Sequence, residues 1–289
     1  SVRGHYFARR TRFIHGTTFL GLLLGGLLLH RMELGDGGAG FALVFALGAL
    51  FRLVSAAMLM RSFEPPFAGL GDNDRLLPFL RSTEGALARR LLPLAAGFLL
   101  AVSIASPLFA PYMLRVIELD YLQYMASSAS VVVVKTALLP RWGQAVDRFG
   151  AKAVYGLAAL LIALIPFPWL ALTGLTGVVM AQALSGASWG GYEVSLFALL
   201  LGSASPRQRP LLFAAHSVLS GAAQLAGGLI GVFLFGRLAL GYQGVFLISG
   251  VLRLGMAAMI PLLVRGVGRD RAIGHRDLLM RVIGFRAHG

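Results

Sequence analysis

The chain contains no cysteine, which excludes disulfides, thiolate metal sites and cysteine nucleophiles, and leaves the compartment open. Acidic side chains are scarce, 12 Asp and Glu against 26 Lys and Arg, and charged residues of both signs make up only 13% of the chain. No two histidines have zinc-ligand spacing, and neither a phosphate-binding loop nor a serine elbow is present, so no enzyme constellation emerges and no metal or cofactor is implied. A membrane-embedded transferase built on His216 or Glu193 would have no supporting motif. What fills the chain instead is apolar: 57% hydrophobic residues and a mean hydropathy of +0.77, from which a soluble domain is hard to build. The net charge of +14 does not point to nucleic acid, because the arginines sit at the ends of apolar runs rather than along an aromatic-studded groove.

Crossing roughly 30 Å of hydrocarbon takes about 20 apolar residues as a helix. About eight stretches qualify: Phe13 to Leu29, Gly40 to Met60, Leu91 to Met113, Tyr121 to Leu139, Ala153 to Leu172, Leu175 to Gly202, Leu211 to Phe235 and Val245 to Val264. The expectation is an all-α, multi-pass transmembrane bundle, each span satisfying its own backbone in lipid. Basic residues crowd alternate connections. Arg3, Arg9, Arg10 and Arg12 precede the first span, Arg61, Arg75, Arg81, Arg89 and Arg90 follow the second, Arg141, Arg148 and Lys152 the fourth, Arg207 and Arg209 the sixth, and Arg265 to Arg286 the last. The other connections hold Arg31, Arg115 and Arg237 beside Glu33, Asp36, Glu118 and Asp120, so both ends are expected in the cytoplasm. A signal peptide is rejected, because His30-Arg31-Met32-Glu33 follows Leu29 where a small-residue cleavage site would stand.

After the fourth span comes Arg141-Trp142-Gly143-Gln144-Ala145-Val146-Asp147-Arg148-Phe149-Gly150-Ala151-Lys152. Gly143 and Gly150 are expected to permit a tight reversal, with Asp147 at the start of the next helix, where free N–H groups favour a carboxylate. An internal repeat is also visible. His15 and His216, Gly40 and Gly241, and Arg52 and Arg253 share one offset of 201, and Arg52-Leu53-x-x-Ala56-Ala57-Met58 matches Arg253-Leu254-x-x-Ala257-Ala258-Met259. Four spans separate the repeated pairs, so the copies share an orientation and the repeat unit is six helices long.

The spacing Gly143-x-x-x-Asp147-Arg148-x-Gly150-x-Lys152 between two spans resembles the signature loop of major facilitator superfamily transporters, in the degenerate form of the C-terminal half, with Ala151 where another basic residue is usual. Ser106-Pro107-Leu108-Phe109-Ala110-Pro111-Tyr112 and Leu184 to Tyr192 are similar to stretches of bacterial members. The resemblance implies that residues 1–60 are the last two helices of an N-terminal half, 61–90 a cytoplasmic linker, 91–265 the C-terminal six-helix half and 266–289 a basic tail. The chain then corresponds to helices five to twelve of twelve, the first four being expected to lie outside it. Leu76, Leu77, Phe79, Leu80, Leu87 and Leu91 suggest a broken amphipathic helix at the membrane surface, and the arginine-rich tail either lies on anionic lipid or is solvated.

Candidate site residues are polar positions on one face of spans rich in small residues: Gln182, Trp189 and Glu193 with Gly186, His216 and Gln224 with Ser220 and Gly227, and Tyr124 and Lys135 with Ser128. The resemblance implies that these spans border a central cavity. Glu193 lies about nine residues from the end of its span, about 13 Å deep. Such burial costs on the order of 2.5–3.5 kcal/mol, so the carboxylate is expected to face water or a cation. It either carries a proton or binds substrate, or it bonds a neighbouring helix; Lys135 either binds or snorkels to the interface. Pro107 and Pro111 can kink a helix that rocks, or shape it without gating. Arg52 and Arg253 are expected to bond neighbouring helices or carbonyls. His15 and His216 stay open between packing and proton transfer, and the pairs Gly25-Gly26, Gly190-Gly191 and Gly227-Gly228 are expected at close helix contacts.

The expected function is secondary transport of a small solute across the bacterial inner membrane, with protons as a candidate coupling ion, the chain working as a monomer in the lipid bilayer and without nucleic acid. Gly143, Asp147, Arg148, Gly150 and Lys152 would form a cytoplasmic latch. The alternative is a non-transporting scaffold or receptor that keeps the fold.

Overall fold

The computed structural model describes residues 2–33, 37–61, 76–83 and 85–263, with the backbone alone for 2–12, 15, 32–33, 37–39 and 262–263. Expectations for the side chains of Arg3, Arg9, Arg10, Arg12 and His15, for the linker between Arg61 and Leu76 and for the tail from Arg265 lie outside the described residues.

The described chain is helical, with no strand among the described residues: α1 (Val2–Glu33), α2 (Gly37–Met60), α3 (Leu76–Arg81), α4 (Ala86–Arg115), α5 (Tyr121–Phe149), α6 (Ala151–Leu164), a 3-10 turn (Pro168–Leu170), α7 (Gly174–Gly202), α8 (Arg209–Gly236) and α9 (Gly241–Leu263). Among the described residues six segments are long and apolar enough to span a membrane: Gly40–Met60, Ala86–Arg115, Tyr121–Phe149, Ala151–Leu170, Arg209–Gly236 and Gly241–Pro261. The chain is therefore read as a multi-pass membrane protein. The expected first and sixth spans fall in long helices, α1 and α7, that are not among the six. In α7 the run from Ser185 to Tyr192, with Gln182 and Glu193 beside it, dilutes the apolar content.

Local chemistry sets several ends. Asp120 caps α5: its carboxylate accepts from the Gln123 N–H at 2.7 Å while the Gln123 side chain accepts from the Asp120 N–H at 3.3 Å. Pro210 opens α8, where its missing N–H costs nothing. Of the expected linker, α3 and the start of α4 at Ala86 are described; α3 packs beside α4, burying Phe79 while the Arg89 guanidinium donates to the Leu80 carbonyl at 2.9 Å.

The packing has an internal symmetry. α4 packs on α8 and α9, α7 packs on α5 and α6, and α6 packs on α9. Exchanging α4 with α7, α5 with α8 and α6 with α9 turns the α4–α8 contact into α7–α5 and the α4–α9 contact into α7–α6, and leaves α6–α9 in place. Each unit has three helices, an odd number, so the two units start from opposite sides of the bundle. α1 packs on α2 and α5, while α2 has none of its apolar stretch buried.

The centre is α4 and α6, with 61% and 56% of their apolar stretches buried. Phe98 of α4 stacks on Tyr192 of α7, which meets Tyr155 of α6, and the two tyrosine hydroxyls lie 3.4 Å apart. Lipid tails are as apolar as leucine, so such contacts stabilise the bundle through dispersion and shape rather than by removing surface from water. Shape is set by glycine. A Cβ on Gly227 or Gly231 of α8 would collide with the Leu100 or Ile104 carbonyl of α4, and one on Gly26 of α1 with Met125 of α5. In two of the three expected glycine pairs the partner residue is looser, Gly25 having open space and Gly228 only ordinary contact with Pro107.

Gly231→Ala should therefore destabilise the protein by about 1–3 kcal/mol through overpacking. Gly221→Ala, with nothing within 4 Å of the new methyl, should be neutral or stabilising, since alanine is the better helix former. Thermal melts of the two variants in detergent check the contrast; equal shifts would contradict the packing.

Candidate functional site

The site is built on the α5–α7 contact. Gly186 of α7 faces the Val131 backbone of α5, and Gly191 lies under the Trp142 ring, where an added Cβ would meet ring atoms at 2.9 Å. The Trp142 indole N–H donates to the Ala187 carbonyl at 2.8 Å, locking the register of the two helices. With the backbones held this close, the Lys135 ammonium of α5 reaches the Glu193 carboxylate of α7, with Nζ–Oε1 and Nζ–Oε2 both 2.6 Å. The pair lies on the bundle face rather than in the core, the side chains being 22% and 51% exposed. In water such a pair contributes roughly 0.2–1 kcal/mol. At membrane depth its weight is larger, since each partner alone would be an uncompensated charge in an apolar medium.

The other candidate residues separate. Gln182 and Trp189, on the same α7 face in projection, line a cavity of about 170 Å³ together with Arg253 rather than the Lys135–Glu193 pair. On α8, His216 Nε2 lies 3.2 Å from the Ser220 hydroxyl, and the Gln224 amide donates to the Ser220 carbonyl at 3.1 Å. Gln224 is exposed and His216 half-buried. Tyr124 of α5 is half-buried against the central core, and its carbonyl accepts from the Ser127 hydroxyl at 2.7 Å. Arg253 bonds neighbouring carbonyls as expected, whereas Arg52 is exposed on α2.

The loop motif differs from the sequence expectation in geometry. α5 continues through Gly143 and Asp147 to Phe149, so Gly143 is helical and Asp147 lies in the last turn of α5, not at the start of α6. The reversal is concentrated at Gly150, whose φ of +89° is open to glycine and strained for other residues. The reason is apolar packing: Trp142, Ala145 and Phe149 bury against Val154 and Leu157 of α6, which holds the last turns of α5 helical. Asp147 and Arg148 are exposed there, the Arg148 guanidinium lying 5.5 Å from the Phe149 ring centroid, and Lys152 begins α6 half-buried.

Sequence reasoning treated Arg253 as a structural arginine and placed none of Trp169, Ser106 and Ser185, which share its cavity, in a site. The available signal was Ser249-x-x-x-Arg253, an i to i+4 spacing that lets the hydroxyl accept from the guanidinium; the Arg253 Nε–Ser249 Oγ distance is 3.0 Å. Comparisons with family models, with curated proteins and with solved structures find no match to this chain.

Lys135→Met should lower the melting temperature by leaving Glu193 unpaired, and adding Glu193→Gln should restore part of the loss. A double-mutant cycle in detergent should give a coupling of at least about 0.5 kcal/mol. Strictly additive losses would mean that the pair is not formed.

Proposed function

We propose that the chain is a secondary active transporter of the major facilitator type, moving a small solute across the bacterial inner membrane by alternating access, with both ends in the cytoplasm and α1 and α7 completing eight spans. The observation that carries this reading is the exchange symmetry of α4 to α9. Three-helix units of opposite orientation, nested in a six-helix half, are the construction that lets such transporters rock around a midplane site. The sequence repeat adds support: at an offset of 201, the start of α9 at Gly241 corresponds to Gly40 within α2, and the start of α8 at Arg209 to residue 8 within α1. On this reading α1 and α2 belong to one half, α4 to α9 form the other, and the α1–α5 contact joins them.

Glu193 is the proton or substrate carboxylate, held by Lys135 when the site is empty. A solute or proton that takes Glu193 releases Lys135, so the ion pair couples occupancy to the α5–α7 face. Asp147 and Arg148 at the end of α5, the Gly150 hinge and Lys152 at the start of α6 form the cytoplasmic latch, with Gly143 inside the helix that carries it. His216, Gln224 and Tyr124 contribute polar positions on the faces of α8 and α5.

Reconstituted in vesicles holding a pH-sensitive dye and challenged with solute classes in turn, the protein should move protons or labelled solute in a solute-dependent way. Glu193→Gln should abolish the proton movement at normal expression, and Asp147→Ala should slow flux without removing solute binding. No flux with any class would favour the non-transporting scaffold.

A further inference from the structure

A second polar locus lies inside the bundle, lined by α4, α7, α9, the 3-10 turn and Ile165 just past the end of α6. Its charged member is Arg253, only 2% exposed. The guanidinium donates from Nε to the Ser249 hydroxyl at 3.0 Å, from Nη1 to the Ile162 carbonyl at 3.2 Å and from Nη2 to the Val102 carbonyl at 3.0 Å, while the Ser249 hydroxyl donates onward to the Ala101 carbonyl at 2.6 Å. These partners fix the side chain, tying α9 to α4 and α6, but all of them are neutral. A guanidinium carries five N–H groups, so two remain without an acceptor among the described residues. Among the described residues no carboxylate pairs with Arg253. A buried cation held by neutral acceptors alone is costly, and a well-placed anion beside it offsets part of that cost.

Beside this cation is space rather than side chain. The 170 Å³ cavity has a polar wall of Ser106, Gln182, Ser185 and Arg253 and an apolar wall that includes Phe109, Trp169 and Trp189. Trp169 supplies an independent sign of a missing partner: the residue is 1% exposed, and its buried indole N–H finds no acceptor among the described residues. Orphaned buried donors are rare, and this one lines the same cavity as the under-neutralised arginine. Tyr112 meets Trp169 edge-on, with ring centroids 6.2 Å apart, and lines a second cavity of about 380 Å³ at the α4–α5 loop end of the bundle. The aromatic pair thus has one ring on each cavity and stands between them.

We propose that this cavity is a binding site for a small monocarboxylate, its carboxylate accepting from Arg253 and the Trp169 N–H and its short apolar body lying against the Phe109 and Trp189 rings. A carboxylate suits the guanidinium fork, and the mixed lining favours an anion with an apolar body over a bare halide. The site is separate from the Lys135–Glu193 pair, and the inference does not rest on transport.

The test uses the whole protein in lipid nanodiscs, titrated with propionate at constant ionic strength and followed by thermal melting and tryptophan fluorescence, with chloride as the comparison. The expected result is a saturable rise in melting temperature and a saturable fluorescence change with propionate that chloride does not reproduce. Arg253→Gln should abolish both, and because it also removes three ties between helices, two milder variants carry the test. Trp169→Phe keeps the ring and removes the donor, and should raise the dissociation constant roughly tenfold or more in the melting assay. Ser185→Leu fills the cavity and should eliminate binding. A wild-type protein that does not respond to propionate, a chloride response equal to that of propionate, or unchanged affinity in both milder variants would overturn the proposal.

Discussion

Close approach of helix backbones at glycine is the constraint on which the other features rest. Between apolar helices in lipid there is little to gain from burial as such, so association depends on how near the backbones come and on the few polar bonds that follow. Gly227 and Gly231 let α8 sit against the carbonyls of α4, and Gly186 and Gly191 let α7 sit against α5. From the second contact follow the Trp142–Ala187 bond and the meeting of Lys135 with Glu193. From the first follows the position of α4, whose Ala101 and Val102 carbonyls anchor Ser249 and Arg253.

Two charged loci among the described residues of α4 to α9 differ in character. Lys135 and Glu193 neutralise each other on a partly exposed face, so that neither stands as an uncompensated charge in an apolar medium. Arg253 is buried, fixed by neutral acceptors and bordered by a cavity. The exposed pair suits a changing role and the buried arginine a standing demand for an anion.

Much of the fold was legible in the sequence because a chain this apolar has few alternatives to helices that satisfy their own backbones. Helix identities and the glycine contacts followed from apolar runs and small residues. The boundary at the loop motif did not. Gly143 and Asp147 read as a turn from their residue types, yet the burial of Trp142 and Phe149 on α6 holds them helical, a tertiary effect that propensity does not contain. The pairing of Lys135 with Glu193 was foreseeable from depth and sign. The division of the α7 face was not: Gln182, Trp189 and Glu193 share a helical stripe, and only the packing of α4, α6 and α9 separates the first two from the third. Arg253 was readable as a carbonyl-bonding arginine, but the cavity beside it and the unpartnered Trp169 N–H arise from elements far apart in the chain.

The most direct test of the central claim is whether the helix pair α1–α2 moves against the bundle of α4 to α9. The absence of cysteine makes the chain a clean background for spin labels. With labels at exposed positions Gly16 of α1 and Gln144 of α5, pulsed electron paramagnetic resonance in nanodiscs reads the distance between them. Alternating access predicts two distance populations whose ratio shifts with pH or with a transported solute. A single distance that no condition alters would contradict the account and leave the symmetric bundle as a static membrane scaffold.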